Sequence, residues 1–375
     1  MKKIFSALLL LFLTNLTLIG QNPISEGHGD LYVFNLDNGG IRVVAAQADG
    51  TVLDQTFNEI PQDLTFKYVA ADKDTDVAFE FQLRDRVKTP WHMEPAAKTL
   101  VLSDIHGRLD AYVALLKGNG VIDDNLNWIY GNNHLVFVGD ILDRGRDDIG
   151  VAWLTYKLEK QAQEAGGCLQ FVIGNHEDLA LKDDLRYPHQ DHFQFSILAG
   201  IPFAQLLGAD TELGQWFRDS YWIVYSGRNL FVHAGLSIDM RKRSYKVGEI
   251  NELGWRFTGL TTKDKKELHH RTEKLFGSSG PIWYRGLSRD DERYDPISSE
   301  DLNTVLKYYS ADRIIVGHTE VDEIEWRHDG RVIAVNVRHY RNYPENRSAA
   351  LLIEGDKFHV VNYTGEILKT YLPEQ

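Results

Sequence analysis

The sequence predicts an α/β protein that carries a small β-rich unit near its N-terminus. From about residue 99 onward, short apolar runs of strand length alternate with amphipathic runs of helical period, which is typical of an α/β fold. Between residues 28 and 83 the chain instead consists of short strand-like runs separated by turns. We therefore predict a signal segment at residues 1–20, a β-rich domain with its linker at 21–95, and a larger α/β domain at 96–375.

The first twenty residues have the composition of a secretory signal peptide. Lys2 and Lys3 precede an apolar run that extends to about residue 13, and small and polar residues follow it. The apolar run is shorter than the roughly 20 residues that a membrane span needs. We expect an exported protein, periplasmic or secreted, with no membrane anchor after the signal is cleaved.

The β-rich domain is predicted to form a small antiparallel β unit. Turn residues at Asn38-Gly39-Gly40 and Asp49-Gly50 separate its apolar runs. Pro90 and Pro95 flank a polar stretch that we interpret as the linker to the larger domain. The predicted strands cover residues 31–36, 41–46, 64–69 and 77–83.

The larger domain repeats one pattern, in which an apolar strand leads into a loop and then an amphipathic helix. Two helices are predicted over residues 109–117 and 148–164, and glycines at their C-terminal ends support these limits. The predicted strands cover residues 99–102, 135–138, 169–173, 230–232 and 313–316, and further strands follow at 332–337, 349–353 and 358–362.

Composition narrows the classes of function. The formal net charge of −13 argues against a nucleic-acid-binding surface, because neutralising a phosphate backbone requires clustered Lys and Arg. A small anionic substrate is still compatible, since bound cations make one pocket positive inside an acidic protein. The chain has one cysteine, Cys168, and so forms no intrachain disulfide.

Short polar motifs follow five of the predicted strands. Because open α/β sheets place ligands beyond the carboxyl ends of their strands, we expect these motifs to form one site. A single Asp after a strand is usually a helix N-cap and a single His a satisfied polar group, but recurrence at five strand ends favours metal binding. The motifs are Ser-Asp-Ile-His-Gly at 103–107, Gly-Asp-Ile-Leu-Asp-Arg-Gly at 139–145, Gly-Asn-His-Glu at 174–177, His-Ala-Gly at 233–235 and Gly-His-Thr at 317–319.

The ligand types in these motifs indicate the chemistry of the site. Carboxylate, amide and imidazole groups suit two divalent metal ions such as manganese, zinc or iron. Such a pair of ions suits displacement at phosphorus. The sequence therefore predicts a metal-dependent phosphoesterase.

Over roughly residues 98–320 the motifs resemble the calcineurin-like metallophosphoesterase superfamily. Within it, residues 213–217 and 281–286 are similar to the bacterial Shewanella-like branch of phosphoprotein phosphatases, which includes a cold-active protein-tyrosine phosphatase. The resemblance implies a four-layer α/β/β/α sandwich for the larger domain, preceded by a β-rich extension.

The resemblance also implies a role for each motif residue. Asp104 and His106 would bind the first cation and Asp140 would bridge both. The second cation would be completed by Asn175, His233 and His318. His176 would be the general acid, with Asp143 orienting its ring. The substrate phosphate would be bound by Arg144, Arg285 and Asn175, and the planar guanidinium fork suits that task.

Two interpretations compete for the segment around Arg285. In the alternative, Trp283 and Tyr284 are core aromatics at a strand end and Arg285 covers surface. The charged residues 241–274 also have two interpretations, a lid that attracts phosphorylated substrate or a solvated helical face. We favour the solvated face, because acidic residues are mixed with the basic ones.

The mechanism expected is direct attack by a metal-bridging hydroxide, without a phosphoenzyme. A cysteine-based phosphatase needs Arg six positions after its nucleophile, whereas Gly174 stands six positions after Cys168. Ser103, Ile141-Leu142 and Ala234 depart from the pattern usual in eukaryotic phosphoprotein phosphatases. These departures remove no ligand, but they leave the choice between phosphotyrosine and phosphoserine or phosphothreonine open.

Three functions are compatible with the sequence. The leading one is a phosphomonoesterase that acts on phosphoproteins or phosphopeptides. The second is a small-molecule phosphohydrolase, such as a nucleotidase or a dinucleoside polyphosphate hydrolase. The third is a binding or adhesion protein that uses the metal domain as a scaffold, and the intact motif set argues against it.

Overall fold

The computed structural model describes residues 24–86 and 89–372. The predicted signal segment at residues 1–20 lies outside these ranges. Within them, no helix combines the length and the apolar character that crossing a membrane requires.

Eighteen strands in four sheets, twelve α-helices and one short 3₁₀ helix (Glu292–Tyr294) make up the regular structure of the described ranges. The strands are β1 (Ile24–His28), β2 (Leu31–Asn35), β3 (Ile41–Ala46), β4 (Val52–Phe57), β5 (Thr65–Val69), β6 (Ala78–Phe81), β7 (His92–Met93), β8 (Thr99–Leu102), β9 (His134–Phe137), β10 (Cys168–Phe171), β11 (Ile223–Ser226), β12 (Asn229–Val232), β13 (Arg313–Val316), β14 (Glu325–Arg327), β15 (Val332–Ala334), β16 (Ala349–Glu354), β17 (Lys357–Asn362) and β18 (Ile367–Tyr371). The helices are α1 (Leu109–Gly118), α2 (Asp148–Glu164), α3 (Asn175–Leu181), α4 (Gln190–Ala199), α5 (Phe203–Leu206), α6 (Glu212–Asp219), α7 (Ile238–Lys242), α8 (Val247–Phe257), α9 (Thr262–Leu268), α10 (Thr272–Leu275), α11 (Ser299–Tyr309) and α12 (His339–Asn342).

Two mixed six-stranded sheets carry the larger part of the fold. The first has the order β10-β9-β8-β16-β17-β18, and the second has the order β14-β15-β13-β12-β11-β7. Each contains three neighbouring parallel strands, which are β8, β9 and β10 in the first sheet and β12, β13 and β15 in the second. Strands of both sheets contribute to one apolar core. The predicted α/β class is thus confirmed.

The parallel strands are short, apolar and buried. Every residue of β8 and of β10 is buried, as expected for strands covered on both faces. The charged motif residues stand in the loops beyond the strand ends, where side chains can converge without burying an unpaired charge in the sheet. The parallel part of each sheet therefore acts as a rigid support for the loops.

The N-terminal β-rich unit, β1 to β6, differs from the antiparallel arrangement predicted for it. One sheet, β2-β3-β4, is antiparallel, but in the other sheet β1 runs parallel to β5. The residues of β1 show no clear alternation of apolar and polar side chains, so its own sequence does not indicate how it pairs. Its pairing depends on contacts with β5, which is distant in the chain. The unit packs against α2, where Trp153 donates a hydrogen bond to the carbonyl of Leu31 (2.9 Å) and stacks on Phe81 (4.4 Å between ring centres).

Two further segments have structure that the sequence did not predict. The stretch between Pro90 and Pro95, interpreted as the linker, contains β7, which pairs with β11 at the edge of the second sheet. The charged residues after 241 form α7 to α10, and their face is not wholly solvated. Lys265 is buried and its Nζ lies 2.6 Å from Asp178 Oδ1. Burial lowers the pKa of Lys265 to about 8 even with this partner.

Candidate metal centre

The loops after five strands bring the predicted metal ligands together. In the first sheet they follow β8, β9 and β10, and in the second sheet they follow β12 and β13. All of these side chains are buried, with at most 6% of their surface exposed. The predicted ligands that meet here are Asp104, His106, Asp140, Asn175, His233 and His318, and the predicted general acid His176 lies among them.

Their ligand atoms form two groups that share Asp140. In one group the ligand atoms of His106, Asp140 and His176 lie within 4.8 Å of one another, and in the other those of Asp140, His233 and His318 do. The Oδ2 atom of Asp140 is 3.7 Å from His106 Nε2 and 3.2 Å from His233 Nε2. A carboxylate common to both groups fits a bridging position.

The two remaining oxygen ligands border these groups. Asp104 Oδ1 lies 3.9 Å from His106 Nε2, and Asn175 Oδ1 lies 3.1 Å from His233 Nε2. Asp104 therefore stands beside the first group and Asn175 beside the second, as the family resemblance implied.

Unpartnered ring nitrogens test whether these residues fit a metal. In the part of the chain that the structure describes, His106 Nε2 and His318 Nε2 are buried without a hydrogen-bond partner. A buried polar group without a hydrogen-bond partner destabilises the folded state by about 1–3 kcal/mol. The opposite ring nitrogen, Nδ1, lies 2.8 Å from a backbone carbonyl in both His106 and His233. This contact orients Nε2 toward the centre, which is how metal-binding imidazoles are usually held. The residues thus fit divalent cations.

The carboxylates titrate in opposite directions because their surroundings differ. Burial and the nearby charge of Asp140 raise the pKa of Asp104 to about 7. Burial also acts to raise the pKa of Asp140, but the positive charges of His233 and His176 outweigh it and hold this pKa well below its usual range. Asp140 is therefore a charged ligand even before a cation binds.

The pKa values of the histidine ligands are also shifted in opposite directions. Burial holds the pKa of His106 and of His318 well below the usual value, so both rings are neutral and can bind a cation. Burial opposes the charged form of His233 as well, yet the carboxylate of Asp140 raises its pKa to about 9. A bound cation would replace this proton, since a histidine ligand must be deprotonated.

Six of the fifteen non-glycine residues with positive φ in the described ranges belong to the site. These six residues adopt the left-handed φ region, which costs a residue other than glycine about 1–3 kcal/mol. This backbone conformation turns side chains from nearby loop positions toward one point. These residues are Asp104 (φ 51°), His106 (45°), Asp140 (62°), Asp143 (73°), Arg144 (70°) and His318 (58°).

Two motif glycines allow the carboxylates to approach the backbone. A Cβ atom at Gly174 would lie 2.1 Å from Asp140 Oδ1, and one at Gly317 would lie 2.4 Å from Asp104 Oδ2. No side chain fits at such distances. Both glycines are therefore part of the geometry of the ligands.

Glu177 was not assigned a role from the sequence, although it ends one of the motifs. Its carboxylate accepts hydrogen bonds of 2.8–3.0 Å from four backbone amides and so connects α3 to the loop after β9. Burial and the charge of Asp140 raise its pKa to about 7, while the amides favour the ionised form. The four amides belong to Asp140, Ile141, Leu142 and Gly174.

Asn336 is a second functional residue that sequence reasoning missed. It follows β15, and its Nδ2 donates a 2.7 Å hydrogen bond to Asp104 Oδ1. The backbone amide of His318 donates to the other carboxylate oxygen (3.0 Å). The rule that located the other motifs, a polar residue just beyond a strand, also applies to Asn336.

His176 and its neighbours occupy one side of the centre. His176 Nδ1 lies 2.6 Å from Asp143 Oδ2, and its Nε2 lies 3.3 Å from the Arg144 guanidinium. Burial opposes protonation, but the charge of Asp140 and the hydrogen bond to Asp143 raise the pKa of His176. Burial raises the pKa of Asp143 as well. Arg144 is 40% exposed and can reach a ligand that enters from solvent.

Arg285 borders the other side of the centre. Its Nη1 lies 3.4 Å from the carbonyl oxygen of His318 and from Thr319 Oγ1. Trp283 packs edge-on against the ring of His318, with 5.8 Å between ring centres. Outside Arg285 a recess of about 440 Å³ is lined by Trp283 and other aromatic residues, among them Phe276 and Tyr294. Arg285 thus stands next to a ligand, while Tyr284 is the core aromatic of this segment.

Comparisons with known proteins agree with this geometry. Residues 97–322 match the family described as calcineurin-like phosphoesterase. The structure of a cold-active protein-tyrosine phosphatase from a psychrophilic Shewanella species is 28% identical, with a TM-score of 0.78 over 91% of this chain and 99% of that chain. Shewanella-like protein phosphatase 1 of Plasmodium berghei is 25% identical over 257 residues, or 68% of each chain. An uncharacterised Schizosaccharomyces pombe protein is 28% identical over 277 residues, which are 72% of this chain and 81% of its own.

Replacing Asp140, the carboxylate common to both ligand groups, should abolish the rise in thermal stability that metal produces. Manganese added to metal-stripped wild-type protein should raise the Tm, because a ligand at 100 times its Kd stabilises the native state by about 2.7 kcal/mol. The Asp140→Asn variant should lose this rise, whereas Asp124→Asn, which alters a fully exposed side chain, should retain it. Thermal unfolding followed by circular dichroism measures the shift. An undiminished rise in Asp140→Asn contradicts the assignment of Asp140.

Proposed function

Because the chain belongs to the calcineurin-like phosphoesterase family, and is therefore a hydrolase of phosphate esters, we propose that it dephosphorylates phosphoproteins or phosphopeptides with two divalent cations. We also propose that it acts outside the cytoplasm, on the basis of the signal-like residues 1–20. The observation that carries the choice of a phosphomonoester is the position of the two arginines. Arg144 borders the ligand group that contains His176, and Arg285 borders the group that contains His318.

Two guanidinium groups at one site match a terminal phosphate. A phosphomonoester dianion offers three non-bridging oxygens, and planar guanidinium forks bind such oxygens through paired N–H donors. Burial lowers the pKa of Arg285, although not enough to discharge an arginine near neutral pH. The net charge of the protein is negative, so this local positive charge is what attracts the substrate.

The chain's own residues bind the substrate and supply the proton for the leaving group. When bound, divalent cations polarise a phosphoryl group and activate water as a nucleophile. Arg144 and Arg285 hold the phosphoryl oxygens. His176 donates the proton of its Nε2 to the leaving oxygen, while Asp143 holds the ring through Nδ1 and stabilises the imidazolium form.

A protein nucleophile is not needed for this reaction. Cys168 lies in β10 and is buried, and burial raises the pKa of its thiol to about 11. A thiol of that pKa is protonated near neutral pH and is a weak nucleophile. This supports direct transfer of the phosphoryl group to water.

The aromatic recess supports a peptide substrate with an aromatic phosphoester. Trp283 and Arg285 both line this recess. Aromatic rings contribute about 0.5–1.5 kcal/mol when they pack in pairs, beyond the area they bury. The Shewanella relative is called a protein-tyrosine phosphatase, and we propose phosphotyrosine peptides as the preferred class here also.

A substrate panel tests this proposal. Phosphotyrosine peptides should exceed phosphoserine peptides, nucleotides and a dinucleoside tetraphosphate by about tenfold or more in kcat/KM, which corresponds to 1.4 kcal/mol. Trp283→Ala should reduce the preference for phosphotyrosine over phosphoserine, because the aromatic partner is lost. Release of inorganic phosphate measures all rates. Higher kcat/KM for nucleotides or the dinucleoside tetraphosphate would instead identify a small-molecule phosphohydrolase.

Removing the general acid should slow hydrolysis most for the esters whose leaving group has the highest pKa. His176→Asn should reduce kcat for phenyl phosphate by about 10²–10⁴-fold, the usual contribution of general acid catalysis. The loss should be much smaller for p-nitrophenyl phosphate, whose leaving group needs no proton. His92→Asn, at an exposed position in β7, is the control and should leave both rates unchanged. Equal losses on the two esters in His176→Asn would remove it from this role.

A further inference from the structure

We propose that the N-terminal β-rich unit is a positioning element of the active site. It acts through a buried chain of contacts that runs from Asp30 through His192 and Asp148 to the backbone of Asp143. The inference rests on the proposed role of Asp143 in orienting His176, so its test must separate the two claims.

The contacts form a continuous path of short distances. Asp30 lies between β1 and β2, and its Oδ1 is 2.6 Å from Nδ1 of His192 in α4. His192 Nε2 lies 2.9 Å from Oδ1 of Asp148, the first residue of α2. The other oxygen of Asp148 accepts a 2.9 Å hydrogen bond from the amide of Asp143. Asp30, His192 and Asp148 are 0%, 1% and 4% exposed.

The charges along this path compensate one another. Burial alone would lower the pKa of His192, but the carboxylates of Asp30 and Asp148 raise it to about 10, so the ring is a cation. A second cation, Arg146, lies 2.7 Å from Asp30 Oδ2 and donates to the carbonyl of Gly29. Removing one member leaves a buried charge without its partner, which is costlier than losing one contact. We therefore expect that removing any one of these charged groups displaces the others.

The end of this path is the residue that holds the general acid. Asp143 has a φ of +73°, a strained backbone that its surroundings must maintain. The hydrogen bond from its amide to Asp148 contributes to this restraint. The Asp143 side chain then reaches His176 Nδ1 at 2.6 Å. A small rotation of the Asp143 backbone would move the carboxylate away from the ring.

A second route leads from α4 to the same place. The segment before α4 includes Tyr187, whose carbonyl accepts a hydrogen bond from the amide of Arg144 (3.0 Å). The ring of Tyr187 packs against His176, with 4.9 Å between ring centres. Because His192 fixes α4 against Asp30, the N-terminal unit influences both the proton donor and its neighbouring arginine.

A neighbouring carboxylate offers a matched control. Asp147, the last residue before α2, also attaches the N-terminal unit to the loop after β9, since it accepts hydrogen bonds from Tyr68 and from the amides of Ala71 and Asp72. Its side chain shows no hydrogen bond or ion pair to Asp143 or His192 within residues 24–86 and 89–372. Changing Asp147 should loosen the same interface without disturbing the path to the general acid.

The test measures kcat and KM for a series of aryl phosphates with leaving groups of increasing pKa. In Asp30→Asn and His192→Gln, kcat for phenyl phosphate should fall about tenfold more than kcat for p-nitrophenyl phosphate, a part of the general acid contribution. KM should change little. Asp147→Asn should lower the Tm to a similar extent but reduce both rates equally. Two variants are used so that a folding failure in one leaves the other to decide.

A double variant tests whether Asp30 and His176 act on the same proton transfer. Asp30→Asn should add no further dependence on the leaving group when His176 is already Asn, because both changes act on one proton transfer. If Asp30→Asn and His192→Gln reduce both esters equally, as Asp147→Asn does, the positioning role is refuted. If His176→Asn itself shows no dependence on the leaving group, the proposed acid fails instead, and the two failures are thereby distinguished.

Discussion

The burial of the Asp140 carboxylate is the constraint on which the rest of this active site depends. Its two oxygens contact groups from loops of both large sheets, including the His233 ring and the backbone amide of His176. A carboxylate that is only 2% exposed must be compensated by positive charge and hydrogen bonds. Imidazolium groups of the protein supply part of this compensation. Divalent cations, which metallophosphoesterases typically bind, would supply the rest.

The surrounding structure follows from this requirement. Gly174 has no side chain because Asp140 occupies that space, and Glu177 binds the amides of the loop that carries Asp140. The left-handed backbone at six functional residues costs free energy that the buried sheets must supply. Sites of this kind trade stability for function. A cation that binds the converged ligands recovers some of that stability.

The sequence predicts the α/β class and the convergence of the motifs, but not every strand of the framework. The five motifs converge because each follows a short apolar strand, and the edge of a parallel sheet brings such loops together. The parallel pairing of β1 and the recruitment of β7 into the second sheet were missed, since both depend on partners far away in the chain. The burial of Lys265 was missed for the same reason, because its partner Asp178 lies in another part of the fold. Asn336 was missed because the strand predicted over 332–337 includes it, whereas β15 ends at Ala334 and leaves Asn336 in the loop beyond.

Our proposal that two cations share the carboxylate of Asp140 can be tested by anomalous diffraction. Crystals grown with manganese would be measured at the manganese absorption edge, so that each bound ion gives a peak. We expect two peaks that both contact Asp140, one beside His106 and the other beside His233 and His318. A single peak, or two peaks that do not share Asp140, would contradict a bridging role for this carboxylate.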